Sequence, residues 1–146
     1  DTFLKGGPIP MKYAMQYVYP ALFAQKKEGG YAIEFPDFPW LHAKGKTWTT
    51  AFAAAEEALN RWLWHAEEEG KTLPRPTNPA ALTPAADAFI SLIKADTWEY
   101  RKKHDTRTID RMITLPKWLD TMGQERAINY SMLLQSTLME MFHHNH

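Results

Sequence analysis

The sequence predicts an α+β fold in two parts: a front β-β-β-α-β domain and a rear β-α-α unit that a second copy completes. Three observations carry this reading. Tyr13 to Lys44 holds aromatic-rich, alternating segments separated by a Gly-Gly turn. Thr47 to Gly70 runs without proline and repeats apolar residues at helical spacing. Near the end, RTIDRMITLPKWLD (107–120) reads as one short strand running into a helix, with no second strand nearby to pair with.

Each front element has a local cause. Tyr13 to Phe23 is aromatic-rich and suits a pleated surface, with Pro20 marking an edge or a bulge. Lys26-Lys-Glu-Gly-Gly30 ends in a hairpin signal. Tyr31, Ile33 and Phe35 alternate onto one face of a second strand, Pro36 and Pro39 break it, and Leu41 to Lys44 makes a short third. Thr47 is the N-cap of the long helix and Gly70 its stop. Trp48, Phe52, Ala55, Leu59, Trp62, Leu63 and Ala66 form its apolar stripe, with His65 at the stripe's edge. Glu56, Glu57, Glu67, Glu68 and Glu69 fall mostly off that stripe and read as a solvated face. Pro74, Pro76, Pro79 and Pro84 make residues 71–86 a loop, before a strand at Phe89–Ile93 and a short helix at Trp98–Lys103.

In the rear part, Pro116 occupies a first helical turn, where its missing N–H costs nothing. Asn129 caps a second helix, running from Ser131 to Phe142. A strand and two helices in about 40 residues bury too little surface to stand alone. A two-fold dimer is the simplest remedy: two copies of the strand pair antiparallel above interlocked helices. Ile113 and Leu115 then face the shared core with Leu119, Leu134 and Leu138, while Asp110, Met112 and Thr114 face outward. The boundaries expected are 1–10 as expression-derived residues, with Met11 or Met15 as the native start, 11–104 as the front domain and 105–146 as the rear.

Composition sets limits. Lys+Arg and Asp+Glu both number 17, so net charge points to no partner, yet 101–117 holds six basic and two acidic residues. The chain has no cysteine, which excludes disulfides and thiolate chemistry and fits a cytoplasmic protein. No apolar run approaches the roughly 20 residues needed to span a bilayer.

Strand, helix and helix over 108–142, with LPKWLD and INYSMLLQSTL, resemble the ribbon-helix-helix family of DNA-binding domains. That resemblance implies a ribbon in the major groove, here presenting Asp110, Met112 and Thr114, with Arg107 and Arg111 as nearby basic residues. It further implies a phosphate held at Asn129, Tyr130 and Ser131. The chain departs from the pattern in offering Asp and Met where such ribbons commonly present Arg, Lys, Asn or Gln. A ribbon used only for dimerisation stays open as a second reading.

The front stretch YPALF…EGGYAIEFPDFP…KGKTWTTAFAAAEEALNRWLWHAEEEGKTLPRP, with Ile113-Thr-Leu-Pro116 further on, is similar to the HicB antitoxin family from Tyr17 to Phe142. Departures are Trp40-Leu41-His42 after the second proline, Thr49 and Thr50 at the helix start in place of acids, and Trp98 for a serine. The resemblance implies a front domain like a truncated ribonuclease H fold. It also implies a basic, mRNA-cleaving HicA toxin as partner, a rear domain that represses its own operon at operator DNA, and a homodimer extendable to a tetramer. Asp37, Phe38 and Trp40 are the toxin-facing candidates, although Phe38 and Trp40 would equally serve to close the sheet.

No catalytic residue, metal site or cofactor is expected. Two-metal nuclease chemistry needs carboxylates converging on ions roughly 4 Å apart. Glu34, Asp37, Glu56, Glu57 and Asp96 show no such register. The tail His143-His144-Asn145-His146 reads as unstructured, and His42 lacks a partner at ligand spacing. The main expectation is therefore an antitoxin; its rivals are a ribbon-helix-helix regulator without a toxin and a remnant nuclease.

Overall fold

The computed structural model describes residues 16–144. The proposed start sites Met11 and Met15, the first three residues of the expected opening strand and the tail end Asn145-His146 lie outside them. The chain divides into two compact units after Arg107.

The first unit is a four-stranded antiparallel sheet in the order β3-β2-β1-β4. Its strands are β1 (Gln16–Gln25), β2 (Tyr31–Phe35), β3 (Phe38–Gly45) and β4 (Ala88–Asp96). Helix α1 (Trp48–Glu68) follows β3, and α2 (Thr97–His104) follows β4. One face of the sheet, carrying Tyr19, Ala21, Phe23, Ile33, Phe35, Ile93 and Ala95, packs on α1 to form the core. Gly45 is required where β3 meets the helix, because a Cβ there would collide with the Ala51 backbone.

The β1–β2 turn uses Gly29 and Gly30 at positive φ, as the Gly-Gly signal predicts. Pro20 sits in a central strand, not at an edge. It is accommodated because the β1–β2 ladder starts only at Leu22, so the proline's missing N–H falls beyond it. The third strand starts at Phe38 and includes Pro39, which an edge strand tolerates.

Helix α1 begins at Thr47, whose hydroxyl accepts the Thr50 N–H at 3.1 Å, while the Thr50 hydroxyl accepts the Thr47 N–H at 3.0 Å. This reciprocal box explains how a helix without an acidic first turn is capped. The buried ridge is Ala51, Ala55, Leu59, Leu63 and Ala66. Trp48 and Phe52, expected on that ridge, are exposed beside it, because small alanines are what let the helix approach the sheet closely. His65 is likewise exposed, stacked on Trp64.

The second unit contains α3 (Lys117–Glu125) and α4 (Tyr130–His144). The strand expected over 107–115 does not form: residues 105–116 carry neither helix nor strand. A strand exists by its hydrogen-bonded neighbour, and among the described residues no segment of this chain pairs with it. The α3–α4 turn bonds Ile128 N–H to Gly123 O and Ala127 N–H to Gln124 O, both at 3.0 Å, with Ala127 at φ 54°. The Tyr130 hydroxyl donates to the Asp120 carboxylate at 2.7 Å. No described helix is long and apolar enough to cross a membrane.

Candidate interaction surfaces

The candidate toxin-facing residues part company. Phe38 is fully buried, with rings of Tyr19 and Trp62 at 4.6 and 4.8 Å between centroids. The expectation that it is an exposed anchor is corrected: as the first residue of β3 it points into the core. Asp37 occupies the β2–β3 turn, and its carboxylate accepts the Thr77 N–H at 3.0 Å and hydroxyl at 2.6 Å. Its acidity is spent in tying down the proline-rich loop. Trp40 alone of the three offers surface, 58% exposed with its ring 5.4 Å from that of Trp62.

A second aromatic surface escaped the sequence reading. Phe23, Trp48, Phe52 and Phe89 line an apolar cleft of ≈ 370 Å³. The helical spacing that assigned Trp48 and Phe52 to the core was the misleading signal.

Glu56, Glu57 and Asp96 border one groove of ≈ 370 Å³ with Lys94, Glu99, Lys103 and His104, while Glu34 and Asp37 lie elsewhere. Within that groove Glu57 is engaged by Arg61 at 2.6 Å and by the Tyr100 hydroxyl at 2.8 Å, and Asp96 caps α2 through the Glu99 N–H at 3.0 Å. Among the described residues no three His, Cys, Asp or Glu side chains are placed to hold a metal ion.

Glu67 overturns the solvated-face assignment. It is 4% exposed and accepts hydrogen bonds from the Tyr17 hydroxyl, the Thr97 hydroxyl (3.0 Å) and Arg101 (2.7 Å). Its ion pair joins the end of α1 to the last turn of α2. Arg101 also reaches Glu68 at 3.2 Å, and Arg107 bridges Glu68 (3.3 Å) and Asp105 (2.7 Å). Arg107 thus stands apart from the other ribbon candidates, lying in the first unit with its guanidinium engaged. That contact depresses the Asp105 carboxyl to about 2, through the Arg107 hydrogen bonds. Burial pushes the Glu68 carboxyl up, but Arg101 and Arg107 outweigh it and the net shift is downward.

In the second unit, Ile113, Leu115, Leu119 and Leu134 line a common apolar groove of ≈ 660 Å³, and Leu138 lies outside its lining. Thr114, expected to face outward, lines the same groove, whereas Met112 is 99% exposed and Asp110 and Arg111 are exposed with it. Asn129 caps α4 by accepting the Met132 N–H at 3.1 Å, beside the N–H groups of Tyr130 and Ser131.

The family described as the HicB-like antitoxin of bacterial toxin–antitoxin systems matches residues 19–137, and this chain belongs to it. Among solved structures, a chain of a toxin–antitoxin complex from Streptococcus pneumoniae is 26% identical with a TM-score of 0.58, covering 86% of this chain and 99% of its own. The antitoxin HicB of Burkholderia pseudomallei is 18% identical with a TM-score of 0.49, covering 88% and 98% respectively. A chain of a HicA3–HicB3 toxin–antitoxin complex is 23% identical with a TM-score of 0.45, covering 55% and 99%. No curated protein matches the chain.

Proposed function

We propose that this antitoxin neutralises a HicA-like, mRNA-cleaving toxin through its first unit and represses its own operon through its second. On this reading the first unit is a truncated ribonuclease H-like domain used for binding rather than catalysis. The second is a ribbon-helix-helix domain completed by a second copy. The resemblance to a chain from a toxin–antitoxin complex supports the toxin partner, and Trp40, exposed beside Trp62, is the residue we assign to that contact.

One observation carries the dimeric second unit: none of its described residues is buried, although Ile113, Leu119, Met122, Leu133 and Leu134 gather around one groove. So few residues with no buried core do not make a stable domain alone. A second copy laid two-fold over this groove covers these side chains and gives 108–115 a strand to pair with. Asp110 and Met112 would then be presented to operator DNA with Arg111 nearby, Thr114 would be covered with the groove it lines, and a phosphate would sit at Asn129, Tyr130 and Ser131.

The test is Ile113→Asp in the full chain. Placing a charge in the shared core should halve the mass measured by light scattering and abolish operator binding. Operator affinity of the unaltered protein should fall steeply with salt, because phosphate contacts release counterions. An unchanged mass for a folded Ile113→Asp protein contradicts the dimer. A salt-insensitive complex, or none, leaves the second unit as a dimerisation device only.

A further inference from the structure

Asp110 and Met112 stand where ribbons of this kind commonly present Arg, Lys, Asn or Gln. Those four side chains meet purines: Arg and Lys bond the O6 and N7 acceptors of guanine, and Asn and Gln bond N6 and N7 of adenine. A thioether has no hydrogen to donate, and an ionised carboxylate only accepts. Neither residue reaches N7 as a donor.

Met112 is 99% exposed, more than any other large apolar side chain among the described residues. One exposed apolar side chain is ordinary; its place in the chain gives this one its meaning. Ile113 and Leu115, two residues apart, line the groove that a second copy would cover. Alternation along a strand turns Asp110 and Met112 to the opposite face. Thr114 lines the groove too, close to the start of α3. Asp110 and Met112 are thus the two outward candidates that stay outside when the groove is covered.

Base edges in the major groove offer a short list of matches for such a pair. The C5-methyl of thymine is the apolar group displayed there, and the donors are the N4 amino group of cytosine and the N6 amino group of adenine. Guanine displays two acceptors, O6 and N7, which repel a carboxylate. A methionine is unbranched and polarizable, so it moulds to a small apolar target.

We propose that Met112 is a specificity-determining residue that seats on a thymine methyl group of the operator, while Asp110 accepts from the amino group of a nearby cytosine or adenine and rejects guanine. The inference rests on the operator-binding ribbon proposed above and adds what that ribbon reads. It reads methyl and amino groups, and leaves the N7 and O6 acceptors of guanine unread.

The test uses the full chain and duplexes spanning the promoter of its own operon. One duplex carries thymidine, a second carries deoxyuridine in its place, which removes only the methyl groups, and a third carries guanines with C–H in place of N7. Covering one methyl group contributes about fourfold in affinity, and two copies of the chain present two Met112 side chains. The deoxyuridine duplex should therefore bind about fifteenfold more weakly than the thymidine duplex. The duplex without guanine N7 should bind as well as the thymidine duplex. Met112→Ala changes a solvated side chain, so the fold survives, and this variant should bind thymidine and deoxyuridine duplexes alike. A Met112→Ala protein that still prefers thymidine overturns the assignment, because the methyl groups then act through the shape of the DNA. Equal binding of the two duplexes by the unaltered protein overturns the proposal and leaves operator binding standing. Weakened binding without guanine N7 also overturns it, since guanine acceptors are then being read. No binding to the thymidine duplex overturns operator binding itself, and the proposal falls with it.

Discussion

Glu67 illustrates how single residues resist a linear reading. In sequence it is one of three consecutive glutamates at the end of a helix. In space it is the acceptor that Tyr17, Thr97 and Arg101 share. The i, i+4 series Ala51, Ala55, Leu59 and Leu63 runs on to Glu67 and not to Glu68 or Glu69, but that spacing names no partner; the arrival of Arg101, 34 residues later, supplies it. Removing one partner of a buried pair leaves the other charge uncompensated, so Glu67→Ala should cost about 3 kcal/mol, read from the shift in denaturant midpoint. Asp105 gives a pH-dependent counterpart. Its carboxyl is held at about 2 by Arg107, below the ordinary value of about 3.9. A depressed carboxyl contributes stability that is fully present above the ordinary value and is lost as pH falls through the folded one. The Asp105–Arg107 contact should therefore hold at pH 4 and release towards pH 2. An NMR titration placing the Asp105 carboxyl near 3.9 would contradict the contact.

At the scale of elements, the chain announces most of its plan. Thr47, Gly29-Gly30 and Asn129 act where their chemistry places them, because caps and tight turns are local events. The errors arise where neighbours decide. Pro39 looks like a breaker until β3 proves to be an edge strand, and β4 extends past Ile93 to Asp96 because β1 pairs with it that far. Trp48 and Phe52 share the helical period of the core yet stand beside it, since alanines occupy the line of closest approach. Of the toxin-facing candidates, exposure singled out Trp40, which no pattern separates from Phe38. The α3–α4 turn carries a further local cost: Ala127 adopts the left-handed conformation at φ 54° that glycine takes without strain. Ala127→Gly should stabilise the protein by a few tenths to about 1 kcal/mol, the relief of strain being partly offset by unfolded-state entropy. A lowered denaturation midpoint would show that the Ala127 methyl group contributes packing that outweighs the strain.

For the whole molecule, the two units present opposite situations. The first encloses a core of aromatic and aliphatic side chains between a sheet and a helix. The second has, among its described residues, helices without a buried interior and, ahead of them, residues 108–116 without a ladder. The sequence raised this problem directly, since RTIDRMITLP has the residues of a strand and no partner among the described residues of the same chain. The structure of one chain leaves that strand unmade, as the physics of backbone pairing requires. Our account is that a second copy makes it. Hydrogen exchange at the backbone amides of residues 108–115, followed in the full-length protein at a concentration where it is assembled, tests this most directly. Alternating slow amides along 108–115, lost in Ile113→Asp, is the predicted result. Uniformly fast exchange there, in a protein that still binds its operator, would contradict it.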